Sequence, residues 1–347
     1  MRGFRDRDYL RTEEGYFFCV LGPVHPEDRV IAYLKYVPDP SGKWGRGSNR
    51  FRRALPHYTV DGLLETFRFL ESRPEYLFDS QAWGVRMSAV PLHKISEHLK
   101  PEEKVSQLMR MEGLDPLQSK TVKLVEALSE LSGVPPSYFG VTGSVLLDIH
   151  RDFSDIDLLV YGKRNSESVR KALLQSYEER DSPVRRLHGE KAREWCLQKT
   201  ELYPLTYEEA ERILERRWNR GLFHGTLFSI HPVKLEGEVK EKYGDRVFRP
   251  EGTVKIEATV SDASEACFMP ATYRVEDVRV VEGPRVRDIF EVVSYEGLYG
   301  DLAKDGERIL AYGKLEGVTD RVSGLRYHRL LIGSQEARGR DYIKLLS

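Results

Sequence analysis

Cysteine, side-chain amides and long apolar runs are all scarce in this chain. Its 347 residues include 3 cysteines, and Cys19, Cys196 and Cys267 stand far apart with no Cys-x-x-Cys pair. That spacing supports neither a disulfide framework nor a cysteine zinc site, and it suits a reducing cytoplasm. No run of about 18 apolar residues occurs. The opening Met1-Arg-Gly-Phe-Arg-Asp-Arg-Asp8 lacks the apolar centre of a signal peptide, so a membrane or secreted protein is not expected. An excess of one charge is missing too. With 54 Lys+Arg against 55 Asp+Glu the net charge is -1, which excludes a uniformly basic nucleic-acid coat but leaves local patches open. The three Asn and six Gln stand against 31% charged residues, a balance that points to a thermophile.

The length implies two or three domains at about 100–200 residues each. Apolar runs at 16–21 and 30–37, rich in β-branched and aromatic residues, read as paired strands. The stretch 39–58 reads as loop, 59–71 as a helix ending before Pro74, and 91–111 as helix with breaks. An N-terminal α/β domain is expected over 1–112. A second unit, 113–245, opens with helical spacing at 119–132. A strand follows at 138–141, then a short helix to about His150, a strand at 156–161, helices at 166–179 and 206–219, and a strand at 226–235. This order predicts a mixed sheet with helical cover. From 246 to 347 the texture turns to strand-length runs at 253–260, 272–281, 289–295, 308–315 and 326–333, which predict a small β-barrel resembling the oligonucleotide-binding type. The fold class is α+β.

The stretch that carries chemistry is Phe139-Gly-Val-Thr-Gly-Ser-Val-Leu-Leu-Asp-Ile-His-Arg-Asp-Phe-Ser-Asp-Ile-Asp-Leu-Leu-Val-Tyr-Gly162. Asp155 and Asp157 sit two apart where the period is that of a strand, so their carboxylates share a face. Two clustered carboxylates can hold Mg²⁺, a hard cation whose shell substrate phosphates complete. Gly143 and Ser144 fall at a strand-to-helix junction, where a missing side chain and free backbone N–H groups can receive a phosphate.

This arrangement resembles the DNA polymerase beta-like nucleotidyltransferase superfamily, whose pattern is an apolar residue, Gly, Gly or Ser, a spacer, then Asp, apolar, Asp or Glu. Here Thr142 takes the apolar place, and ten residues separate Ser144 from Asp155. The resemblance implies that Asp155 and Asp157 coordinate Mg²⁺ or Mn²⁺ and that Gly143 and Ser144 hold the triphosphate of an NTP. The whole chain also resembles an uncharacterised archaeal group of predicted nucleotidyltransferases, through His25-Pro-Glu-Asp-Arg-Val-Ile-Ala-Tyr-Leu-Lys-Tyr-Val-Pro38 and the motif above.

The superfamily carries a third carboxylate on a later strand. The matching segment, 223–234, offers His231 there, with Glu236 or Glu257 as alternatives, so the third metal ligand stays unassigned. Basic side chains to close over the triphosphate are Lys163 and Arg217, with Arg164, Arg216 and Arg220 beside them. A glycine-rich segment at 41–53 places Lys43, Trp44, Arg50, Arg52 and Arg53 together, cations for phosphates and a ring for stacking on unpaired bases, and is expected to bind RNA. The expected activity is transfer of a nucleoside monophosphate from an NTP to an acceptor, RNA favoured. The alternatives are an inactive nucleotide- or RNA-binding protein on the same fold, and a transferase acting on a protein or small molecule.

Overall fold

In a computed structural model, residues 2–55 and 60–346 are described, and part of the expected 59–71 helix and 39–58 loop lies outside them. The first sheet is built from β1 (Tyr9–Thr12), β2 (Phe17–Val20), β3 (Arg29–Pro38), β4 (Trp44–Arg46), β5 (Asn49–Arg53), β6 (Leu77–Ser80), β7 (Val85–Pro91) and β8 (Ile95–Leu99). Its order is β4-β5-β3-β2-β1-β8, with β7 paired to β3 and β6 to β7. All four residues of β2 are buried because both faces are covered. Phe18 and Val20 join Leu34, Leu70 and Tyr76 on one side, where α1 (Val60–Leu70) packs. On the other side Phe17 and Cys19 join Tyr9, Tyr36 and Phe51 against Leu146, Leu147 and Ile149.

Two expectations are corrected here. The 39–58 segment is not all loop, since β4 and β5 form a hairpin on β3. The 91–111 stretch is not broken helix: β7 ends at Pro91, β8 follows, and only α2 (Pro101–Leu108) is helical. Ile95-Ser-Glu-His-Leu99 carries three polar residues between two apolar ends and pairs with β1 as a strand at the edge of the sheet.

The second sheet contains β9 (Phe139–Val141), β10 (Ile156–Tyr161), β11 (Val184–Arg185), β12 (Arg220–Phe223) and β13 (Thr226–Val233), ordered β11-β12-β13-β10-β9. β10 and β13 are parallel and the remaining pairs antiparallel, giving a mixed sheet. Helix α3 (Pro116–Ser132) starts at a capping box between Asp115 and Gln118 and ends at Gly133 in the left-handed region. It packs with α5 (Lys163–Glu178) on the face carrying Ile156, Leu158 and Val160. The short α4 (Gly143–Leu146) joins β9 to the β10 loop.

One helix here was not read from the sequence, and the helix expected over 206–219 is shorter than expected. Helix α6 (Gly189–Leu202) has only Trp195 and Cys196 buried, too sparse an apolar stripe to stand out. Helix α7 (Tyr207–Arg216) stops three residues before Asn219, and the arginine-rich run after it becomes β12.

The third sheet holds β14 (Arg246–Glu265), β15 (Ala271–Glu282), β16 (Ile289–Ser294), β17 (Arg308–Asp320), β18 (Arg326–Ile332) and β19 (Tyr342–Leu345), ordered β14-β15-β16-β18-β17-β19 with β14 also paired to β17. Its apolar core includes Trp195, Cys196, Ala210 and Ile213, so α6 and α7 are fused to this sheet by packing. Among the described residues no helix is long and apolar enough to cross a membrane.

Candidate active site

Strand alternation divides β10 between two chemistries. Ile156, Leu158 and Val160 face the helices, which turns Asp157, Leu159 and Tyr161 to the opposite face. Leu159 and Tyr161 bury with Val233, leaving Asp157 as the carboxylate of that row at the N-terminal end of the strand. Asp155 precedes the strand in the same row. Parallel register sets Ser229 opposite Asp157 and His231 opposite Leu159, and antiparallel register sets Arg220 opposite Ser229. Asp157, Ser229 and Arg220 therefore form one line across three strands.

The turn above this line depends on glycine. Gly143 has φ +67°, and a β-carbon there would lie 3.0 Å from Asp157 Oδ2, so any other residue would be strained and would crowd the carboxylate. Thr142 N–H donates to the Asp157 carbonyl over 2.9 Å, clamping turn to strand. The Thr142 hydroxyl donates to the Arg7 carbonyl at 2.9 Å and does not cap α4. The first-turn N–H groups of Gly143 and Ser144 thus have no side-chain cap.

Ser229 Oγ donates to Asp157 Oδ1 in a short hydrogen bond. His231 Nε2 lies 2.9 Å from Ser229 Oγ and 3.9 Å from Asp157 Oδ1, so Ser229 bridges them. Because the single serine proton goes to the carboxylate, the imidazole must donate from Nε2, which fixes its tautomer. Burial first, then the Arg7 charge, pushes His231 down to about 4, and the ring is neutral at pH 7.

The two carboxylates differ in kind. The Asp157 charge, then burial, raises Asp155 above the ordinary carboxylate range, against Arg220 and Arg53, which lower it. Burial also opposes ionisation of Asp157, but His231, Lys35 and Ser229 outweigh it and hold this group well below that range. A proton shared at this site therefore goes to Asp155.

Arg7, Lys35 and Arg53 reach the site from the first sheet, a contribution no local motif signals. Arg7 has φ +66°, a conformation costing about 1–2 kcal/mol for a residue with a β-carbon, and its charge acts on Asp157 and His231. The hairpin bearing Arg53 is tied to the segment before Asp155: Gly45 N–H donates to the Ile149 carbonyl at 2.8 Å, and Arg151 Nη1 donates to the Gly45 carbonyl at 3.0 Å.

Other residues singled out from the sequence fall elsewhere. Lys163 lies past the far end of β10, roughly 20 Å from Asp157 at about 3.3 Å per residue, and pairs with Glu265 at 3.0 Å. It is not brought to the carboxylates. Glu236 pairs with Arg5 at 2.6 Å, and Glu257 with Arg279 and Arg308, so neither supplies a third ligand. Arg217 donates from Nη2 to the Gly297 carbonyl at 2.7 Å on the third-sheet side of Arg220. Trp44 packs on Tyr36 and Phe153 at centroid distances of 5.7 and 6.1 Å, with Arg53 4.7 Å over its ring. Arg52 pairs with Asp39 at 3.4 Å, and Lys43 is exposed while Arg50 is half-buried. Among the described residues no group of three or more His, Cys, Asp and Glu is arranged to hold a metal ion.

A family model described as "Nucleotidyltransferase domain" matches residues 122–218, a span containing Gly143, Ser144, Asp155 and Asp157. An uncharacterized protein of Methanocaldococcus jannaschii is 32% identical over 344 residues, 98% of this chain and 98% of that one. The chain belongs to the polymerase-beta-like nucleotidyltransferase superfamily. It shares an archaeal relative along its whole length, whereas no solved structure matches it significantly. The nucleotidyltransferase match ends before β13, so Ser229 and His231 lie outside the segment that defines the domain.

Proposed function

We propose that this protein is a divalent-metal-dependent nucleotidyltransferase moving a nucleoside monophosphate from an NTP to an acceptor hydroxyl, with RNA as the acceptor. The observation that carries the reading is the close approach of the Gly143 turn to Asp157 beside Asp155, which sets uncapped backbone N–H groups next to two carboxylates. Asp155 and Asp157 would hold one hard cation, Mg²⁺ or Mn²⁺, whose remaining ligands come from the substrate. Their mutual repulsion, visible in the raised Asp155, is what a dication relieves. Such an ion, when bound, neutralises charge on the phosphates. Gly143 and Ser144 offer backbone N–H groups to the triphosphate, and Arg7, Lys35 and Arg53 surround it with fixed positive charge. The Ser229–His231 relay orients Asp157.

RNA is favoured on two grounds. Lys43 and Arg50 stand at the hairpin beside the site, where Trp44 serves as its packed base. We also read residues 246–347 as an oligonucleotide-binding-type barrel. Support for this is the pairing path β14-β15-β16-β18-β17 returning to β14, with β16 parallel to β18. Phe290, 51% exposed, stands with Tyr327 at a centroid distance of 5.8 Å on its outer side, a platform on which bases could stack. The division into 1–112, 113–245 and 246–347 is part of the same proposal.

A second reading, nucleotide binding without turnover, is favoured by Ser229 standing opposite Asp157 in place of a third carboxylate. Incubation with each labelled NTP, Mg²⁺ or Mn²⁺ and total RNA separates them. Label in RNA supports transfer to RNA, label in protein or a small molecule replaces the acceptor, and no label with retained NTP binding supports the second reading.

A further inference from the structure

Three cations crowd together on the β12 side of the carboxylates. Arg220 starts β12 in line with Ser229 and Asp157. Arg217 precedes it by one turn of chain, with its guanidinium 5.7 Å from the centre of the Trp195 ring. Lys199, on α6, places its Nζ 5.5 Å from the same ring. The Nε groups of Arg217 and Arg220 are buried and have no hydrogen-bond partner, although a buried guanidinium donor left unmatched costs about 1–3 kcal/mol. Burial and mutual repulsion lower Arg217 to about 10 and Lys199 to about 8. Glu296, whose charge acts on Lys199, is itself pushed up to about 7 by burial and accepts from the Tyr203 hydroxyl at 3.0 Å, so it offsets only part of this charge near neutrality. A like-charge cluster with unmatched donors is a site built for an anion.

Sheet order says which anion. Gly143 and Ser144 follow β9, on one side of β10, while Arg220 lies two strands away on the other side, beyond β13. At about 4.8 Å per strand, Arg220 is roughly 10 Å from the Asp157 backbone. The carboxylates thus separate the cluster from the triphosphate turn. We propose that Lys199, Arg217 and Arg220 form a seat for a phosphate of the acceptor, a backbone phosphate of single-stranded RNA. This assignment rests on the transferase reading above and moves Arg217 from the NTP to the acceptor.

The test uses the full chain, a fluorescently labelled unstructured RNA and a potassium chloride series, with NTP binding measured separately by equilibrium dialysis. Lys199→Gln is chosen because Lys199 is half-exposed and, among the described residues, its ammonium makes a single hydrogen bond, 3.5 Å long, to Gln198. It should weaken RNA binding several-fold and reduce the logarithmic salt slope by about 0.7. Lys199→Arg should restore both, and Arg217→Gln, checked for folding by its melting temperature, should add to the loss. NTP affinity should stay within about twofold, since no phosphate of the NTP is assigned to this seat. An unchanged RNA slope in Lys199→Gln overturns the seat, and an equal loss of NTP affinity assigns it to the nucleotide instead. Failure of the transferase reading would show separately, as wild-type protein that binds RNA through Lys199 but labels none.

Discussion

The two flanks of the Asp155–Asp157 pair are built from different materials. On the β9 side, Gly143 and Ser144 present backbone, so close to the carboxylate that a β-carbon at Gly143 would lie 3.0 Å from Asp157. On the β12 side, Arg220, Arg217 and Lys199 present side chains that repel one another. A backbone flank has fixed geometry and little net charge, which suits a group held in one position for reaction. A flank of long cationic side chains attracts phosphate wherever it lies along a flexible strand. On the proposed assignment, the contrast teaches that one fold offers two phosphates two kinds of site.

The largest effect should come from the carboxylates between the flanks. Asp155→Ala and Asp157→Ala should each lower transfer on the order of a thousandfold or more. Asp155→Ala should not lower the melting temperature, because it removes a repulsion, whereas Asp157→Ala should lower it, because it removes the carboxylate that His231, Lys35 and Ser229 stabilise. Near-full activity in either variant, in a labelled-NTP assay, would break the comparison at its centre.

Gly143→Ala tests the backbone flank. The new methyl group meets Asp157 in a left-handed conformation, so a stability loss of about 1–2 kcal/mol is expected, together with weaker NTP binding and unchanged RNA binding. Calorimetry and equilibrium dialysis would read the two effects. Weaker RNA binding and unchanged NTP binding would reverse the assignment of the flanks.

Ser229→Asp restores a carboxylate opposite Asp157. Without metal the added charge should lower the melting temperature, and Mn²⁺ should raise it more in the variant than in the parent. Chelation by EDTA should remove that gain. Equal responses to Mn²⁺ would place the cation away from Asp157.

The smallest effect is expected at Glu296 beside Lys199. Its folded value, raised by burial to about 7, lies above that of the unfolded chain, so the folded state holds the extra proton at low pH. The associated stability is present at about pH 5 and is lost as pH rises through about 7. Glu296→Gln should therefore raise the melting temperature by a few degrees at pH 8 and change it little at pH 5. A shift equal at both values would remove ionisation as the cause.

The sequence alone determined the chemistry that lies close along the chain. Gly143-Ser144 and Asp155-Ile-Asp157 fall within one strand–helix–strand unit, and a strand's period of two suffices to put both carboxylates on one face. The same local logic reached the body of α3 at 119–132 and the strand-rich texture after 246, but not the capping box that starts α3 at Asp115. Tertiary structure decided everything that depends on register or on distant segments. Parallel pairing of β10 with β13 put Ser229, and not His231, opposite Asp157, a shift of two residues that no motif encodes. Strand direction carried Lys163 away from the site, since a side chain after the far end of β10 cannot return to its start. Arg7, Lys35 and Arg53 reach the carboxylates only because Leu146, Leu147 and Ile149 bury against the first sheet. Likewise α6 brings Lys199 toward Arg217 and Arg220 by burying Trp195 in the third core. Local spacing records what neighbouring residues can do together, whereas charges separated by a hundred residues or more meet only when apolar surfaces between them are removed from water.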